Sequence, residues 1–129
     1  MDSTSITVIK PGLLIDGLGG APKSGAAVVL QENLIHWIGS SEEIETDQEI
    51  KNLVDSSGQG RVLDLPQCTL LPGLIDCHCH TNMPGDGRTG EEVNADTDDV
   101  RLLRAARNTT WALQSGVTTL CDCGSWNHT

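Results

Sequence analysis

The sequence predicts an α/β protein in two parts: a small β-sandwich or ribbon over residues 1–71, then a strand–loop–helix–strand unit over residues 72–129. Three observations carry this reading. Short apolar runs separated by turn residues crowd the first part, which is the pattern of short packed strands. A sustained helical period of 3 and 4 marks the second part, between two strand-like runs. That order is a βαβ unit, the building block of a parallel sheet.

In the first part, Ile6-Thr7-Val8-Ile9 alternates as a strand and Pro11-Gly12 is expected to break it. Leu13-Leu14-Ile15 follows and ends at Asp16-Gly17. Ala26 to Leu30 and Leu34 to Ile38 read as a hairpin joined by Gln31-Glu32-Asn33. From Ser41 to Gly60 the chain is polar and acidic. Ile44, Ile50, Leu53 and Val54 there support a short helix, and Ser56 to Gly60 reads as a surface connection. Arg61 to Leu65 resumes as a strand, Pro66-Gln67 is expected to turn the chain, and Cys68 to Leu71 returns.

In the second part, Leu74 to His80 reads as a strand and Thr81 to Thr97 as a long loop. Asp96 or Thr97 caps the helix that follows, and Asp98 and Asp99 suit its first turn, beside the positive end of the helix dipole. Leu103, Ala106, Thr110 and Leu113 define its expected buried face. Gly116 supplies the left-handed residue that ends it. Val117 to Cys123 is then a buried strand, closed by Gly124-Ser125.

Composition narrows the function. With the 14 glycines added to the 37% apolar residues, the share is about half, near the average of soluble globular domains. Phe and Tyr are absent and the three Trp are expected in the core, a composition that does not suit the base-stacking surfaces of nucleic-acid binders. A net charge of −10 repels phosphate backbones and anionic lipids, so neither nucleic acid nor membrane is an expected partner. The start MDSTSITVIK lacks the pattern of a secretory signal, and no run reaches the roughly 20 apolar residues of a membrane span. A cytoplasmic setting is therefore expected. The odd count of five cysteines (Cys68, Cys77, Cys79, Cys121 and Cys123) fits reduced thiols better than a disulfide framework.

The chemistry lies in Pro72-Gly73-Leu74-Ile75-Asp76-Cys77-His78-Cys79-His80. Strand side chains alternate faces, so Asp76, His78 and His80 share one face and Ile75, Cys77 and Cys79 the other. Two parallel imidazoles can reach one metal ion at about 2.0–2.1 Å per zinc–nitrogen bond. By the same alternation the cysteines point away from the histidines and read as small buried hydrophobes. His36 lies in the hairpin and His128 next to the last residue; neither fits the motif and neither is given a role.

This string resembles the amidohydrolase superfamily pattern P-G-[LF]-I-D-x-H-x-H. The likeness extends to the turn landmarks of residues 6–71, to Ala105-Ala106-Arg107-Asn108, and to Ser115-Gly116-Val117-Thr118-Thr119. Gly116 to Gly124 is most similar to the Xaa-Pro dipeptidase and imidazolonepropionase-related branch, whose members often carry Arg where Cys121 stands here. The resemblance implies that residues 1–71 are part of a β-sandwich and residues 72–129 the first βαβ unit of a (β/α)8 barrel, with the chain truncated after the second barrel strand. It implies that His78 and His80 bind a divalent metal, expected to be zinc. The complete enzyme would hydrolyse amide-type C–N bonds of a small-molecule substrate by metal-activated water. The other family ligands and the general base come from later strands, so no acid, base or nucleophile is assigned here. Asp122 is either a group supporting the active-site face or a strand-end turn residue. Asp76 either orients a ligand or anchors backbone. Two alternatives stand beside the hydrolase: a catalytically inactive remnant, and a small zinc-binding structural module using Cys77-His78-Cys79-His80 and the pair Cys121 and Cys123. Oligomeric state is left open.

Overall fold

In the computed structural model, which describes residues 5–56 and 60–124, the chain divides into two compact units, Met1–Pro72 and Gly73–Thr129. The expected connection through residues 57–59, Ser125 and His128 lie outside the described residues.

The first unit holds strands β1 (Ile6–Leu14), β2 (Ala26–Gln31) and β3 (Leu34–Ser40), helices α1 (Ser41–Thr46) and α2 (Gln48–Ser56), and strand β4 (Arg61–Leu70). The strands form one sheet in the order β3-β2-β1-β4, with β1 and β4 parallel and the other pairs antiparallel. Alternation along the central strands serves both faces. Ile6, Val8, Ala27 and Val29 pack with Ile44 and Ile50 from the two helices. Leu14, Ala26 and Val28 form a cluster with Leu30 and Leu70. No second sheet belongs to this unit among the described residues; α1 and α2 pack on one face of the four-stranded sheet.

Several local expectations are corrected. Pro11-Gly12 does not break β1. Antiparallel pairing with β2 reaches only Ile9, so the amide that proline lacks is not needed there, and the β4 register shifts at this point instead. Pro66-Gln67 likewise lies inside β4. It bulges against Gly12, where a Cβ would sit 2.1 Å from the carbonyl oxygen of Pro66, so only glycine permits the approach. The hairpin turn is two residues, Glu32-Asn33, because Gln31 pairs with Leu34. The polar segment after β3 forms two helices rather than one. A capping box between Ser40 and Glu43 starts α1. The Asp47 carboxylate then accepts from the amides of Glu49 and Ile50 to start α2.

The second unit has the expected order: β5 (Leu74–Cys79), α3 (Gly90–Asn94), α4 (Asp98–Gln114) and β6 (Val117–Asp122), with β5 and β6 parallel. Gly116 takes φ 90° and donates its amide to the Leu113 carbonyl, ending α4. The short helix α3, opened by a Thr89–Glu92 capping box, interrupts what reads as loop. Thr97 is the N-cap residue of α4, but its side chain makes no capping bond.

The buried face of α4 is not the expected one. Leu103 and Leu113 are 71% and 63% exposed, whereas Arg101 and Arg104 are buried. The reason is hydrogen bonding. Arg101 donates to the Asn94 carbonyl, Arg104 to the Asn82 carbonyl and the Asp96 carboxylate, and Asn108 to the carbonyls of Thr81 and Met83. An irregular segment leaves carbonyls that need donors, and the polar face of α4 supplies them.

Candidate metal centre

The site grows from the end of β5. Residues 74–79 are extended, and His80 follows directly. The rings of His78 and His80 approach edge to face, with centroids 5.3 Å apart. The structure therefore brings together the two histidines that the motif singles out.

Each is held differently. The amide of His78 donates to the Asp76 carboxylate at 3.1 Å, so Asp76 anchors the backbone of the strand end. His80 uses its ring: Nδ1 lies 2.9 Å from the Gly124 carbonyl oxygen, just beyond β6. A carbonyl only accepts, so Nδ1 carries the proton and the neutral ring keeps its lone pair on Nε2. Metal-binding histidines characteristically spend their second nitrogen in this way.

Asp122 stands at the end of β6. One carboxylate oxygen accepts the Gly124 amide at 3.0 Å; the other accepts the Thr81 hydroxyl at 2.5 Å and the Thr81 amide at 3.2 Å. Asp122 thus makes the local turn bond to Gly124 and also reaches Thr81, the residue after His80. The hydroxyl of Thr81 contributes most to holding this carboxyl below its ordinary range, with the amides of Gly124 and Thr81 adding to it.

The cysteines make other contacts. All five are free thiols. Cys79 donates to the Cys121 carbonyl and Cys123 approaches the Cys77 carbonyl. Desolvation, with the nearby Asp76 and Asp122 carboxylates, pushes the Cys79 thiol up; desolvation and Cys121 do the same to Cys123.

The donor set of paired neutral imidazoles suits zinc and related divalent ions, and the His80–Gly124 bond fits that use. Among the described residues no third His, Cys, Asp or Glu joins them in a cluster able to hold a metal ion. A cavity of about 350 Å³, bounded by Pro84, Arg88, Val100, Leu103, Arg104 and Arg107, lies on α4 and includes neither histidine. No helix among the described residues is long and apolar enough to cross a membrane.

No family model matches the chain. Individual relatives do. An ochratoxinase of Aspergillus niger is 33% identical over 130 residues, covering 97% of this chain and 24% of the relative. An imidazolonepropionase of Pseudomonas aeruginosa is 39% identical over 66 residues, or 51% of this chain and 14% of the relative. Among solved structures, the A. niger ochratoxinase superposes with a TM-score of 0.73 at 30% identity, over 94% of this chain and 26% of that one. A molinate hydrolase superposes with a TM-score of 0.67 at 29% identity, over 98% and 25%. The chain thus spans about a quarter of the length of the relatives that match nearly all of it.

Proposed function

The chain belongs to the amidohydrolase family and matches the N-terminal portion of its members, and from that premise we propose that it is part of a metal-dependent hydrolase in which His78 and His80 hold a divalent ion, zinc above others. The observation that carries this reading is the convergence of the two imidazoles at one strand end, with the Nδ1 of His80 committed to the Gly124 carbonyl. The substrate class is a small molecule with an amide or peptide-like C–N bond. The setting we propose is cytoplasmic, on the odd cysteine count of the sequence.

A divalent ion held there supplies a Lewis acid that acidifies water and polarises the scissile carbonyl. The residues of this chain bind and orient. His78 and His80 present their rings. The Gly124 carbonyl fixes one tautomer, and Asp76 steadies the strand end. No group among the described residues is assigned to move the substrate's proton. We therefore expect the 129 residues alone to bind metal without turning over substrate.

The test is zinc titration of the purified chain by calorimetry, with assays on a panel of dipeptides and cyclic amides. Binding that His78→Ala and His80→Ala each abolish supports the reading. Zinc retained in both variants but lost on thiol alkylation would favour the cysteine module instead. Turnover by the 129-residue chain that disappears in His78→Ala would show it to be self-sufficient.

A further inference from the structure

The turn that leaves β5 is held more firmly than a strand exit requires. The Met83 amide closes it by donating to the His80 carbonyl at 3.1 Å. Asn108, on α4, donates its side-chain amide to the carbonyls of Thr81 and Met83, both at 2.8 Å. Two acceptors on one side identify the facing group as the NH2. From β6, Asp122 takes the Thr81 hydroxyl and amide on one oxygen and the Gly124 amide on the other. Gly124 in turn presents the carbonyl that faces the Nδ1 of His80. The ring of His80 is thus tied to an element 44 residues away in sequence, and that element is tied back to the residue after His80.

We propose that Asp122 and Asn108 are positioning residues: they grip Thr81 from two sides and so set His80 as its Nδ1–H tautomer, with Nε2 presented beside His78. The consequence for metal affinity rests on the proposed ligand role of the two histidines; the tautomer does not. Asp122 is suited to the task because a carboxylate offers two acceptor oxygens and here receives three donors. An asparagine has one acceptor oxygen and cannot accept from Gly124 on one side and from the Thr81 amide on the other. Asn108 is suited because one amide group meets two carbonyls that a hydroxyl could not bridge together.

The experiment has two readouts on the 129-residue chain. First, ¹⁵N-histidine labelling and long-range ¹H–¹⁵N correlation at about pH 8, above the ordinary imidazole range of about 6.5, reports the tautomer of His80. The native chain is expected to show Nδ1–H. Asp122→Asn, Asn108→Ala and Thr81→Val should each shift it toward the Nε2–H form that free imidazole side chains favour. Second, competition with a chromophoric chelator reports zinc affinity, expected to fall about tenfold to a hundredfold in the same variants. A native Nε2–H tautomer, or a tautomer unmoved in folded Asp122→Asn and Thr81→Val, overturns the proposal. Should one variant lose its fold by circular dichroism, the other, near-isosteric one decides. If the native chain binds no zinc while the tautomer responds as expected, the ligand reading fails and the positioning role stands. If zinc binds and neither readout moves, the reverse holds.

Discussion

Arg104 is 8% exposed, and its guanidinium serves the Asn82 carbonyl and the Asp96 carboxylate, which Arg88 also reaches. Arginine at a buried position of a helix is hard to read from sequence, because its charge marks it as surface and the leucines nearby offer a competing apolar stripe. The donors Arg101, Arg104 and Asn108 recur at spacings of 3 and 4, and that polar period is the signal a purely apolar search passes over. Arg104→Ala leaves the Asn82 carbonyl without this donor and strips a partly buried carboxylate of one of its two guanidinium partners. We expect it to lower stability by about 2 kcal/mol in urea titration, with Arg104→Lys recovering only part because one ammonium cannot match the guanidinium fork. Acid should act through the same contact. The Arg104 hydrogen bond, more than any other influence, holds Asp96 below its ordinary value of 3.8, against a smaller desolvation effect. A depressed folded value means that the carboxylate's contribution is complete above about 3.8 and is lost as pH falls from there through the lower folded value. Asp96→Asn should therefore reduce stability at neutral pH and flatten its decline below about pH 4. An acid limb identical to that of the native chain would show that Asp96 carries none of it.

Strands and helices show where sequence signals compete. Pro11-Gly12 and Pro66-Gln67 are turn pairs by composition, yet both sit within continuous strands. Each proline lies on an edge or at a bulge, where the missing amide costs nothing, and a sequence does not reveal which neighbour a strand will have. Capping boxes were legible in principle, since Ser40-Ser41-Glu42-Glu43 and Thr89-Gly90-Glu91-Glu92 both carry the spacing; they mark the starts of α1 and α3. Two glycines test the element scale in opposite directions. Gly12→Ala forces a Cβ against the backbone of Pro66 and should cost at least about 2 kcal/mol. Gly90 begins α3, has nothing near its missing Cβ and has no positive φ. Gly90→Ala should be neutral or stabilise by up to about 1 kcal/mol. Thermal melts of the two variants beside the native chain measure both, and equal midpoints would refute the close approach of β1 to β4.

At the scale of the whole chain, the strand–loop–helix–strand order and the histidine pair were legible because they rest on alternation and on one dense motif. The distribution of buried apolar surface was not, because it depends on which faces meet. The core residues Ile6, Val8, Leu14, Ala26, Ala27, Val28, Val29, Ile44 and Ile50 all belong to the first unit, whereas Val93 is the one buried apolar residue of the second among those described. In β5, Leu74 and Ile75 remain exposed. Each fully buried large aliphatic side chain contributes about 1.5–3 kcal/mol, so the first unit should resist opening far more than the second, whose order depends on hydrogen bonds around residues 80–108. Native-state hydrogen exchange separates the two. Amides paired within β1 and β2, at Ile6–Ile9 and Val28–Gln31, should be the slowest to exchange, and those of β5 and β6 faster by at least about tenfold. If His78 and His80 bind zinc, the ion at a hundred times its Kd adds about 2.7 kcal/mol to the state that holds it, and this should appear as slowed exchange at residues 78–83 and 117–124 with none at β1 and β2. Equal protection in the two units without metal would contradict the reading of where the stability resides. Slowing spread over both units with zinc would mean that they open as one.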